Sequence, residues 1–180
     1  MLTSDASHPS PIFAPVAHET MVANVRALAA ALASDEWAPA WLIGIGRGGL
    51  VPAVFLSHAA GLPMLSVDFS GQVVDDAGAV LARLAARAAA GERLLFLDDI
   101  NDSGRTIGRL RMLLAEAGAP ADAIRFAVLI DNVASAERVD YAARTIDRAV
   151  TKDWFVFPWE AMAPGAAIEA DAAEVPERIA

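Results

Sequence analysis

The chain contains no cysteine, one lysine and one tyrosine. Without thiols it can form neither a disulfide nor a thiolate zinc site, which is compatible with a reducing cytoplasm. Basic residues are scarce: 14 Lys and Arg stand against 23 Asp and Glu, for a net charge of −9. Such a chain repels a phosphate backbone, so no nucleic-acid partner is expected. No apolar run approaches the roughly 20 residues of a membrane-spanning helix, and none is expected. The first fifteen residues have neither a basic start nor a long apolar segment. They do not read as a secretory signal, and a cytoplasmic location is expected. His8, His18 and His58 are scattered without metal-ligand spacing. Lys152 is the single candidate for any ammonium role.

What is present is apolar. Hydrophobic residues make up 56% of 180 positions, enough for one domain with a sizeable core. Apolar residues recur at helical spacing from Thr20 to Leu32, and helices are also predicted over 50–60, within 75–90, and from Ile107 to Gly118. Short apolar strands are predicted at Trp41–Ile45, Met64–Phe69, from Leu94, at Arg125–Ile130 and from Trp154. This alternation points to a parallel α/β sheet. The expected domain has its core at about 18–160, with an arm over 1–17 and a peripheral, alanine-rich acidic tail over 161–180.

The most informative stretch runs from Leu94 to Thr106. Four apolar residues lead directly into Asp98 and Asp99, and a polar turn from Asp102 to Thr106 then feeds an amphipathic segment. A continuous apolar strand suits a sheet buried on both faces. Acids at its carboxyl end lie where open α/β sheets bind ligands. The turn offers backbone N–H groups, two hydroxyls and a helix N-terminus, all suited to phosphate. Carboxylates for a diol beside a phosphate cradle describe a site for a phosphorylated sugar. The plainer alternative is a strand–turn–helix with Asp102 or Ser103 as the helix cap. A second turn, Gly46-Arg47-Gly48-Gly49, also follows a predicted strand and precedes a helix. Its glycines let the backbone approach a ligand, and Arg47 adds a fork of positive charge.

Together these residues resemble the signature of type I phosphoribosyltransferases, whose substrate is 5-phosphoribosyl 1-diphosphate. The resemblance implies a parallel-sheet, Rossmann-like α/β core flanked by helices, with a small hood formed by terminal segments. It places Asp98 and Asp99 on the ribose hydroxyls and a Mg²⁺ ion, and Asp102 as general base near purine N7. Asp102, Ser103, Gly104, Arg105 and Thr106 would hold the 5-phosphate. Gly46, Arg47, Gly48 and Gly49 would grip the diphosphate, and in relatives the peptide before the arginine can be cis. The block from Trp154 to Glu160 is similar to the 6-oxopurine branch, in which an aromatic residue stacks on the base and a Pro-Trp-acid ending follows. Trp154 and Phe155 would then meet the base, with Glu160 a further metal candidate. Trp159 reads better as a packing residue.

The chain departs from that family in two places. Relatives carry a lysine, donating to the purine 6-oxygen, where this sequence has Asp131-Asn132. Asn132 could donate instead, Lys152 could substitute from the other side, or Asp131 could accept from a 6-amino group. A plain turn fits equally. The hood loop, read as Phe69 to Gly78, lacks the family's frequent Ser-Tyr pair and is given no catalytic residue. The resemblance implies a homodimer or tetramer acting on phosphoribosyl diphosphate and a purine base. The competing readings are a non-catalytic regulator that binds phosphoribosyl diphosphate and a transferase for adenine or a pyrimidine.

Overall fold

Every strand of the main sheet runs in the same direction, and the order of those strands fixes where a ligand can enter. The structure, a computed structural model, describes residues 12–68 and 74–173. In chain order the elements are β1 (Phe13–Pro15), α1 (His18–Ala33), β2 (Trp41–Ile45), α2 (Gly46–Ala60), β3 (Met64–Val67) and α3 (Val74–Ala89). They continue with β4 (Leu94–Asn101), α4 (Arg105–Glu116), β5 (Ile124–Asn132), β6 (Tyr141–Ile146), β7 (Trp154–Val156) and α5 (Gly165–Ala173). The main sheet has the order β3-β2-β4-β5-β6, and all of its pairings are parallel. The chain leaves β2 towards β3 on one side and leaves β4 towards β5 on the other. Its switch point therefore lies between β2 and β4, where open α/β sheets bind ligands.

Successive side chains of a strand point to opposite faces, and β4 uses both. Leu95 and Leu97 pack with Met21, Leu28 and Leu56 in one core. Leu94 and Phe96 join Leu84, Leu110 and Phe126 in the other. The Phe96 and Phe126 rings stack with centroids 5.4 Å apart. Fully burying such a side chain contributes about 1.5–3 kcal/mol. Continuous apolarity in β4 thus reflects two buried faces, as the sequence suggests.

A polar joint fastens the end of α1 to the sheet. Arg125 and the Tyr141 hydroxyl both donate to Asp35 Oδ2, at 2.6 and 2.7 Å. The Asp35 carboxyl falls from 3.8 to about 2, chiefly because the Trp37 backbone N–H donates to it, then through Tyr141 and Arg125. The stability it contributes is present above its unfolded value and is lost as pH falls through about 2.

The terminal hood is a separate two-stranded parallel sheet in which Phe13 pairs with Trp154 and Pro15 with Val156. Several boundaries differ from the sequence reading. Helix α2 begins at Gly46 rather than Leu50, so the glycine-rich turn is its first turn. β6 was not anticipated: it pairs only with β5, at the sheet's edge, and needs no continuous apolar run. No cis peptide occurs among the described residues. Residues 69–73 of the expected hood loop lie outside the described residues, as do 1–11 of the arm and 174–180 of the tail.

Candidate active site

A cleft of about 350 Å³ opens at the switch point. Its floor is the start of α2 and the end of β4: Gly46, Arg47 and Gly48 face Asp98 and Asp99 across it, with Thr106 beside them. Trp154, Trp159 and Glu160 form one wall, and Ile168 and Asp171 of α5 reach it from the C-terminal segment. The tail read as peripheral therefore contributes to the cleft. An alanine-rich sequence gives no periodic signal for that.

The first turn of α2 has no side-chain cap. Its N–H groups are the orphan donors of a helix start, which favour an anion. Two of its glycines also have a packing role. A Cβ on Gly49 would collide with the Leu97 carbonyl, and one on Gly48 would lie 2.6 Å from Asp99 Oδ2. The missing side chains thus let α2 lie directly on β4, and the space they leave is filled by the protein itself. This close contact sets exposed Arg47 opposite the two acids.

Asp98 and Asp99 set an acid pair into the cleft at the end of β4. The Asp99 N–H donates to Asp98 Oδ1 at 3.0 Å. Burial pushes the Asp98 carboxyl well above its ordinary value, and the neighbouring Asp99 carboxylate raises it further. A desolvated acid pair of this kind is relieved by a divalent cation or by hydroxyl donors. The donor set therefore fits Mg²⁺ shared with substrate oxygens, since that ion commonly takes one or two carboxylates plus substrate and water oxygens. Among the described residues no three His, Asp or Glu side chains gather into a metal cluster. Glu160, expected as a further ligand, lines the cleft and accepts the Phe157 N–H through Oε2 at 2.8 Å.

The second turn is braced from behind. Gly104 adopts φ 87 as the residue before α4, a left-handed conformation that favours glycine. A Cβ there would also press on the Glu137 N–H at 2.7 Å. No side chain caps α4; Ser103 Oγ makes only a long 3.4 Å contact with the Arg105 N–H. Gly104, rather than Asp102 or Ser103, occupies the capping position. Of the five residues expected on the 5-phosphate, Thr106 lines the cleft, Ser103 and Arg105 are exposed, Gly104 is buried, and Asp102 is half-buried just outside the cleft lining.

Asp131 and Asn132 belong to this brace and line neither this cleft nor the smaller cavity beside it. Asn101 Nδ2 donates to Asp131 Oδ1 and to the Glu137 carbonyl, each at 2.8 Å. Asn132 Nδ2 donates to the Asp102 carbonyl at 2.9 Å, and its Oδ1 accepts the Arg148 N–H at 3.2 Å. Both side chains are buried and spent on holding the turn.

Arg148 is the residue that sequence reasoning missed. Its guanidinium grips the Asp102 carboxylate, with Nε 3.1 Å from both oxygens and Nη2 2.9 Å from Oδ2. Both side chains are only 11% exposed, so this pair is shielded from water. Arg148 also walls a smaller cavity of about 170 Å³, shared with Trp154, Phe155 and Ile100. Its guanidinium lies 5.2 Å from the Phe155 ring, and that of Arg144 lies 4.8 Å away. Trp154, Asp99 and Glu160 line both cavities. Trp159 stacks on Phe157 with centroids 4.8 Å apart, as a packing residue would, yet it also faces the cleft. Lys152 is exposed and lines neither cavity.

Comparison with known proteins agrees with this geometry. A model of the phosphoribosyl transferase domain matches residues 16–163. The chain is 26% identical over 152 residues to a xanthine-guanine phosphoribosyltransferase of Gluconobacter oxydans, covering 82% of this chain and 84% of that protein. It is 31% identical over 130 residues to a protein of the same name from Cereibacter sphaeroides, covering 67% and 70%. A solved purine phosphoribosyltransferase from Pyrococcus horikoshii superposes with TM-score 0.60 at 26% identity, covering 84% of this chain and 95% of that one.

Proposed function

The chain belongs to the phosphoribosyl transferase domain family, and we propose that it transfers the 5-phosphoribosyl group of phosphoribosyl diphosphate to a 6-oxopurine. The products would be the nucleoside monophosphate and diphosphate, as in purine salvage. One observation carries this reading: the uncapped α2 turn, the Asp98–Asp99 pair, Thr106 and the Trp154 wall share a single cleft, and Trp154 also lines a smaller cavity with Phe155 and Phe157.

In this reading the α2 N–H groups and Arg47 bind the diphosphate, where charge grows as the C1–oxygen bond breaks. Asp98 and Asp99 take the ribose hydroxyls and would hold Mg²⁺. When bound, that ion supplies charge neutralisation for the departing diphosphate. Thr106 and the α4 N-terminus hold the 5-phosphate, and so fix C1 in line with the base. Trp154 offers a flat face to the purine. The N9–C1 bond forms as the proton on N7 passes to Asp102, the proposed general base.

The test is product analysis with purified protein, Mg²⁺, phosphoribosyl diphosphate and a panel of bases. Nucleotide from hypoxanthine, guanine or xanthine is the expected result. Product from uracil or orotate alone would refute the purine assignment. No product from any base would favour a binding regulator.

A further inference from the structure

We propose that Arg148 selects the base by presenting a donor to its edge, so that a 6-oxo group is accepted and a 6-amino group refused. The inference rests on the base-transfer reading above and names the residue that sets its specificity. A guanidinium has five N–H donors and no acceptor. In Arg148 the Nε–H and one Nη2–H are spent on Asp102. Both Nη1 protons are spent on the Thr151 and Asp153 carbonyls, at 3.1 and 2.7 Å. That leaves the second Nη2–H on a side chain that walls the smaller cavity beside Trp154 and Phe155.

The direction of this donor is fixed from both ends. Asp102 holds one edge of the guanidinium plane and the 147–153 loop holds another, so the fork cannot swing away without breaking several bonds. A fixed donor discriminates because the wrong partner leaves two donors facing each other in a shielded site. None of the other side chains considered for this role supplies it. Asn132, Asp131 and Lys152 line neither cavity, and the first two are tied to the Asp102 carbonyl and to Asn101. Arg148 and Asp102 also place the cation that reads the base in contact with the carboxylate proposed to take its proton. One pair then couples recognition to reaction.

The experiment measures kcat/KM for hypoxanthine and adenine in competition, for the wild type, Arg148→Gln and Arg148→Lys. Glutamine both donates and accepts, so the hypoxanthine-over-adenine ratio should fall by about tenfold or more in that variant. Lysine remains donor-only, so the ratio should stay within about threefold of wild type even where both rates drop. A purely positioning role would lower both bases together in the glutamine variant, and an unchanged ratio there overturns the proposal. A wild type that prefers adenine overturns it without any variant. If the glutamine variant does not fold, the side-chain ¹⁵N resonances of Arg148, assigned by their loss in the lysine variant, replace it. They should shift on adding inosine monophosphate and stay in place with adenosine monophosphate; equal shifts would contradict the donor role. Absence of nucleotide from any base with the wild type would defeat the function reading itself, and this inference with it.

Discussion

The two halves of the cleft are built over different ranges of the chain. The sugar-phosphate half comes from the ends of two adjacent strands, β2 and β4, with the first turn of α2 lying directly on β4 where Gly49 meets Leu97. The base half is assembled from distant pieces: Arg148 reaches Asp102, Phe13 pairs with Trp154, and Asn132 supports both the turn and the Arg148 loop. Its sheet has two strands of three residues each, which is marginal without the packing around it. Changes in the first half should therefore strike fold and activity together. Changes in the second should strike turnover and base choice while the fold persists.

The largest expected effect separates chemistry from binding within the base half. Asp102→Asn should lower kcat by about 10²–10⁴-fold, while KM for phosphoribosyl diphosphate stays within about threefold. Steady-state kinetics checks this, and unchanged kcat would reduce Asp102 to a holder of Arg148. In the sugar-phosphate half, Gly49→Ala should cost about 3 kcal/mol or more of stability, because its methyl group would meet the Leu97 carbonyl. Urea unfolding measures it; a loss below 1 kcal/mol would show that α2 can lift from β4 freely.

The smallest effect has the opposite sign. Burial raises the Asp98 carboxyl in the folded state, so the fold favours its protonated form. That preference is fully stabilising below the unfolded value and is lost as pH rises through the raised one. Asp98→Asn should therefore stabilise the ligand-free protein near neutral pH by about 1 kcal/mol, or roughly 2–4 °C in Tm. The same change should weaken phosphoribosyl diphosphate binding. A thermal scan with and without that ligand reads both, and a lower Tm without ligand would contradict the strained acid pair.

The same contrast explains what was legible in the sequence. Leu94–Leu97, Asp98, Asp99 and the Gly46–Gly49 turn announce themselves because strand, acids and helix start are contiguous, and each has a local physical signature. Nothing local marks Arg148: one arginine among thirteen acquires its role only when β6 brings it against Asp102. The bracing role of Asp131 and Asn132 was hidden for the same reason, since their partners Asn101 and Asp102 lie thirty residues earlier. β6 and α5 were missed because an edge strand and an alanine-rich helix need no strong periodicity. Gly48 and Gly49 have a packing role that no local pattern announces. They admit the neighbouring strand.

The central claim is that both helix starts and the acid pair hold one activated sugar phosphate. Calorimetric titration of phosphoribosyl diphosphate in the presence of Mg²⁺ tests it most directly. Saturable binding to a single site per chain is expected, weakened when Mg²⁺ is withdrawn or Arg47 is replaced by Ala, and displaced by inosine monophosphate. Heat that does not saturate, or binding indifferent to Arg47 and to inosine monophosphate alike, would contradict it.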